Sequence, residues 1–141
     1  MTGFVLDASV TMRWILESDR ARDQQYAWRV LERLDEVEAI VPSLWYLEVS
    51  NVLLGAEREH RIHAIESERF IEQLEALTIR ADTRTSTQAF SRTVAVARSC
   101  NLTSYDAAYL ELSMRTGLPI SSLDHHLRRA AGRLDIPVFL A

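Results

Sequence analysis

The chain has no lysine: all 16 of its basic residues are arginine. A GC-rich coding sequence is the ordinary source of that bias, yet the absence removes whole mechanisms. Without lysine there is no Walker-type phosphate loop, no Schiff base and no Ser–Lys dyad. A receiver domain also gathers acidic residues around Mg²⁺ on a parallel sheet, but it normally keeps a lysine beside its aspartate pocket, which counts against that reading. The single cysteine, Cys100, excludes an internal disulfide and a cysteine-rich zinc site. Its only basic neighbour in sequence is Arg98, so it reads as a small buried filler. No apolar run approaches the roughly 20 residues of a membrane helix. Met1-Thr2-Gly3 lacks the basic and apolar regions of a signal peptide, so no membrane role and a cytoplasmic location are expected. Only four glycines and three prolines punctuate the chain, and no repeat or linker divides residues 1–141, which read as one domain. The net charge of −4 argues against a bulk polyanion binder, so any nucleic-acid contact must come from local arginines and a bridging metal.

What the chain does have is acid in apolar places. Asp7 follows Phe4-Val5-Leu6, Glu48 interrupts Leu44-Trp45-Tyr46-Leu47, Asp106 opens Ala107-Ala108-Tyr109-Leu110, and Asp124 follows Ile120-Ser121-Ser122-Leu123. Any one of these is ordinarily a helix cap or a dipole partner. Burying four ionised carboxylates is costly unless they are paired or bound to a metal. A shared hard cation answers that cost, and an oxygen-only donor set favours Mg²⁺ or Mn²⁺ over zinc.

Hydrophobic periodicity places those residues on elements. Residues 3–9 read as a short buried strand, with Ser9 capping a helix over residues 10–16. Apolar residues recur at helical spacing over residues 20–37, and residues 39–41 form a second strand stopped by Pro42. Ser43 is the expected cap of a long helix carrying Glu48, which fades near His60, and another helix spans residues 64–75 after His63. A third strand is expected at residues 77–80, a helix at 85–99, and a helix at 105–115 capped by Thr103 or Ser104. The strand at residues 120–123, a short helix after Asp124 and a closing strand at 137–140 complete the pattern. Strands alternating with helices indicate an α/β fold with a mainly parallel sheet. In such sheets the ligand crevice lies outside the carboxyl ends of the strands, where Asp7 and Asp124 fall.

The remaining candidates carry less. Arg128, Arg129 and Arg133 form the tightest basic cluster, and such runs are ordinarily a solvated helix face. Trp14, Trp28 and Trp45 read first as core or interface anchors. His125 and His126 read as solvent-facing, since adjacent helical residues diverge.

Taken together, these motifs resemble a PIN-domain ribonuclease of the VapC toxin type. Val5-Leu6-Asp7-Ala8-Ser9 is similar to the family's opening motif, Leu47-Glu48-Val49-Ser50-Asn51 to its second, and Ser121-Ser122-Leu123-Asp124 with Leu127 to its last. Leu102-Thr103-Ser104-Tyr105-Asp106-Ala107-Ala108-Tyr109-Leu110 is the most specific match, and the motifs span the chain in order. His125-His126 departs from the usual helix start of the relatives and bears on metal preference.

The resemblance implies a three-layer α/β/α fold and a metal-dependent endoribonuclease, held inactive by a cognate antitoxin and dimeric. It implies Asp7, Glu48, Asp106 and Asp124 as the acidic site, Asn51 as part of the second motif, and Ser9 with Thr103 or Ser104 orienting waters or a carboxylate. Asp7 and Asp106 are then expected to hold the principal Mg²⁺ or Mn²⁺, with Glu48 and Asp124 completing the shell. Arg128 and Arg129 are candidate RNA contacts, and Trp14 and Trp45 candidate linings of an antitoxin groove. Without metal the carboxylates repel, so at least one pKa is expected to rise. The runner-up is a degenerate PIN module that binds RNA or a protein without cutting.

Overall fold

Phe4, Val5 and Leu6 have no solvent-accessible surface, and the strand they form, β1 (Gly3–Leu6), runs through the middle of a four-stranded parallel sheet. The computed structural model describes residues 3–141; Met1 and Thr2, part of the stretch considered for a targeting signal, lie outside them. β1 pairs on one side with β2 (Glu38–Val41), through Phe4–Ala39 and Val5–Ile40. On the other side it pairs with β4 (Ile120–Ser121), through Val5–Ile120 and Leu6–Ser121. β3 (Ile79–Ala81) lies outside β2, giving the order β3-β2-β1-β4. Helices cover both faces of such a sheet, and so its central strands are unbroken apolar runs.

The expected closing strand is reduced to one parallel bridge, Ile120 to Val138. The amide of Ile120 donates to the Pro137 carbonyl at 3.0 Å and that of Phe139 to the Ile120 carbonyl at 2.7 Å, while the Phe139 ring stacks on Phe4 at 4.1 Å.

The helices are α1 (Ala8–Thr11, prolonged by a 3₁₀ turn at Met12–Trp14), α2 (Ala21–Arg33), α3 (Trp45–Arg58) and α4 (Ala64–Glu75). They continue with α5 (Thr85–Gln88), a π turn at Ala89–Thr93, α6 (Val94–Cys100), α7 (Ser104–Thr116) and α8 (His125–Arg133). Two expected caps move. Asp7, not Ser9, sits at the cap position of α1, and Ser9 lies inside the first turn with its hydroxyl turned back to Asp7. Leu44 rather than Ser43 precedes α3, without a side-chain cap, while the Ser43 amide donates to the Thr85 hydroxyl. At α7 the cap is as expected: Thr103 accepts from the Asp106 amide at 3.2 Å.

α7 is buried on nearly every side, from Ala107 through Ser113, as a helix of small and apolar residues laid inside a protein must be. Its polar members need partners there. Arg115 grips Asp82, just after β3, with two hydrogen bonds of 2.8 and 3.1 Å, and reaches Glu111 one turn back at 2.8 and 3.0 Å. Thr85 adds a hydrogen bond to Asp82 at 2.9 Å. Burial alone would push the Asp82 carboxyl up, but Arg115 and Thr85 outweigh it and hold it below its ordinary value. Asp82 and Glu111 are buried, and no motif in the sequence marks this clamp. Among the described residues no helix is long and apolar enough to cross a membrane.

Candidate active site

Asp7 leaves the carboxyl end of β1 in an extended conformation and is only 6% exposed. Its Oδ2 accepts from the Ser9 hydroxyl at 2.6 Å and from the Ser122 hydroxyl at 2.8 Å. Those two hydroxyls are fixed in turn: Ser9 Oγ accepts from the Leu123 amide at 2.9 Å and Ser122 Oγ from the Asp124 amide at 3.0 Å. The loop after β4 is thereby tied to the end of β1. Burial raises the Asp7 pKa from 3.8 to about 6; the two serines offset part of the rise, and the charges of Asp106 and Asp124 add to it.

Glu48, in the first turn of α3, accepts a short hydrogen bond from the hydroxyl of the fully buried Tyr109 on α7. Its pKa is raised by burial first, with Asp7 and Asp106 adding and Tyr109 opposing. Burial likewise raises Asp106, at the start of α7, with Asp124 adding and Thr103 and His126 opposing. Asp124 caps α8, its Oδ1 accepting from the amides of His126 at 2.8 Å and Leu127 at 3.2 Å.

The four carboxylates are therefore one electrostatic group drawn from four places in the chain, and among the described residues none is paired with an arginine. The expected rise in pKa is present, though desolvation is a larger cause than repulsion.

The donor chemistry suits a hard cation: oxygen only, anionic, and lacking a protein counter-charge. As the side chains stand, no three His, Cys, Asp or Glu among the described residues are close enough to hold one ion together. Mg²⁺ keeps several of its own waters, so a set that is slightly open still fits it.

Two clefts open beside the acidic residues, and Asp7 lines neither. One, of about 430 Å³, is lined by Thr103, Asp106, Asp124, His126, Arg129 and Arg133. The other, of about 390 Å³, has Ser9, Met12, Glu48, Val52 and Leu123 in its walls. Among the supporting residues, Ser9 and Thr103 make the hydrogen bonds described, while Ser104 and Asn51 are exposed on the first turn of α7 and along α3. Ser122 and Tyr109 were quoted within motifs but given no role by the sequence; each touches a site carboxylate.

Arg128 and Arg129, expected side by side, part company. The Arg128 guanidinium lies 4.8 Å over the Tyr26 ring and donates to the Ser122 carbonyl, whereas Arg129 is exposed in the cleft with Asp106 and Asp124. His125 and His126 are exposed on diverging sides of α8. Trp45 is core, its indole donating to Thr11 at 3.2 Å, and its edge lines an apolar groove between α3 and α4 with Tyr46, Val49, Ile71 and Leu74. Trp14 packs on the core, and its indole donates to the Ala27 carbonyl at 2.8 Å.

Comparison with known proteins agrees with this architecture. The chain is similar in structure to PAE2754 from Pyrobaculum aerophilum (TM-score 0.67, 18% identity, covering 92% of this chain and 84% of that one). It is also similar to a chain of a toxin–antitoxin complex from Klebsiella pneumoniae (TM-score 0.61, 17% identity, 86% of each chain). No curated protein matches the sequence significantly. The model of the PIN domain matches residues 4–133. Nearly the whole chain is thereby accounted for, and it belongs to the PIN-domain family, whose members are generally metal-dependent nucleases.

Proposed function

We propose that this chain is a divalent-metal-dependent endoribonuclease and the toxin of a toxin–antitoxin pair, acting in the cytoplasm. The observation that carries the nuclease reading is Asp7: a buried carboxylate without a cationic partner among the described residues, its pKa raised by burial and by the nearby charges of Asp106 and Asp124. A protein gains nothing in stability from that arrangement, so a ligand is the natural reason for it.

Asp7 and Asp106 would hold Mg²⁺ or Mn²⁺, with Glu48 and Asp124 completing its surroundings through water. Bound there, the ion would acidify a water and relieve charge on the phosphate. The protein's own part is orientation. Ser9 and Ser122 hold Asp7 by one oxygen, leaving the other without a side-chain hydrogen bond among the described residues. Tyr109 holds Glu48 by Oε1, and that carboxylate's second oxygen is the one disposed to take a proton from an attacking water.

The toxin assignment rests on the fold likeness to the Klebsiella chain, and the proposed antitoxin would lie along the groove of α3 and α4, where Tyr46, Leu47 and Leu54 are exposed. A homodimer is the proposed assembly. A non-cutting module has less support, because all four carboxylates are present and none is paired with an arginine among the described residues.

The test is to incubate the antitoxin-free chain with mixed tRNA and rRNA in Mg²⁺, Mn²⁺ or EDTA, beside Asp106→Asn. Metal-dependent cleavage that the variant lacks is the expected outcome. A folded chain that cuts nothing with either metal would favour the non-cutting module.

A further inference from the structure

We infer that Arg129 and Arg133 form a backbone-phosphate subsite for single-stranded RNA, on the α8 side of the scissile position. The inference rests on the ribonuclease reading and assigns which wall of the site grips the strand.

Arg129 and Arg133 stand one turn apart on α8, so their side chains project from the same face. The opposite face, Leu127, Ala130 and Ala131, is buried, which turns the pair outward into the cleft that holds Asp106 and Asp124. Both arginines are exposed, and among the described residues neither forms an ion pair. The one hydrogen bond they make there is a long one, from Arg133 Nη2 to the Cys100 carbonyl at 3.5 Å. Each guanidinium has five donors, so nearly all of that capacity is free. Arg128 differs: its charge is committed to the Tyr26 ring and the Ser122 carbonyl.

In a chain of net charge −4, two free guanidinia facing two site carboxylates without pairing to them leave a gap that suits an anion. Phosphate takes guanidinium in bidentate fashion. The cleft beside Glu48 has Met12, Val52 and Leu123 in its walls together with Asp23, and its one arginine is Arg13. The two clefts therefore differ: the α8 side presents two arginines without ion-pair partners among the described residues, while the α3 side mixes Met12, Val52 and Leu123 with Arg13, Asp23 and Glu48. A strand crossing the acidic cluster would leave a phosphate against Arg129 and Arg133, and an unstacked base has apolar surface to meet on the other side.

Binding of a fluorescein-labelled single-stranded oligoribonucleotide tests this. The full chain carrying Asp106→Asn, which should bind without cutting, is titrated in Mg²⁺ over a range of salt, alone and with R129A/R133A, R129K/R133K or R69A added. R129A/R133A is expected to weaken binding roughly tenfold, the loss of a charge-assisted contact. It should also flatten the dependence of log K on log salt by about 0.7 for each phosphate released. R129K/R133K should restore most of the slope, since the charge remains, and R69A, on α4, should change neither quantity. Unchanged affinity and slope in R129A/R133A would overturn the subsite while leaving the ribonuclease reading intact. Failure of both the Asp106→Asn chain and the unsubstituted chain to bind RNA, with no cleavage by the latter in Mg²⁺ or Mn²⁺, would bring down the ribonuclease reading and this inference with it.

Discussion

Among the described residues Asp7 has two side-chain partners, both neutral, the hydroxyls of Ser9 and Ser122. Its pKa of about 6 in the folded chain against an ordinary 3.8 means that folding favours the protonated form. The stabilising contribution is complete below about pH 4 and disappears as pH rises through 6, and the gap is worth on the order of 3 kcal/mol. Glu48 and Asp106 shift in the same direction and add to the slope. Asp82, held below its ordinary value, acts in the opposite sense and only at lower pH, so it leaves this window clear. The metal-free chain in EDTA should therefore lose thermal stability between pH 4 and 6.5. Asp7→Asn should remove much of that loss; a flat profile in the unsubstituted chain would refute the account. Tyr109 poses a complementary case. Burial raises its pKa, with Asp7 and Glu48 adding, so the hydroxyl stays protonated and can only donate to Glu48. Tyr109→Phe keeps the ring and deletes that donor. It should cost about 1 kcal/mol in urea unfolding and lower kcat more than it raises KM, because a carboxylate loses its orientation and no substrate contact is removed.

Among the elements, α7 carries both ends of the problem: Asp106 and Tyr109 in its first half, Arg115 near its end. The clamp of Arg115 on Asp82 and Glu111 fixes α7 to the segment after β3. Arg115→Met would leave two buried carboxylates without a counter-charge, a change that typically costs about 3–5 kcal/mol. Urea unfolding should show that loss, and Asp82→Asn, which keeps Glu111 paired, should show distinctly less; equal small effects would make the clamp an ornament of the surface. Legibility at this scale follows the physics. α4 was legible to the residue and α7 to within one, because strong periodicity or a genuine Thr cap marked them. The caps assigned to Ser9 and Ser43 failed because serine hydroxyls have other uses: Ser9 serves Asp7, and the Ser43 backbone is claimed by Thr85. The closing strand shrank to a bridge since only Val138 lies in register with Ile120.

For the molecule as a whole, the parallel arrangement was readable from alternation of element types, and it is what brings Asp7, Glu48, Asp106 and Asp124 together at the carboxyl end of the central strand. Their supporting contacts were not readable, because Ser122 is 115 residues from Asp7 and Tyr109 is 61 from Glu48, and no local pattern encodes such pairs. Gathering four acids in a chain already at −4 stores unfavourable electrostatics in the metal-free fold, and a cation that binds only the folded state must release it. Mg²⁺ or Mn²⁺ at a hundredfold excess over its Kd should thus stabilise the chain by about 2.7 kcal/mol. The size of that effect ought to depend on pH. Near pH 5 a protonated Asp7 has no charge to offer and proton and metal compete, whereas at pH 8 the metal-free fold is at its weakest and every carboxylate is available. Thermal melts in Mg²⁺ and in EDTA should therefore diverge at pH 8 and nearly coincide at pH 5, with Asp106→Asn narrowing the gap at pH 8. Melts that coincide at both pH values would mean that the acidic cluster does not bind the ion, and the low stability of its charges would need another explanation.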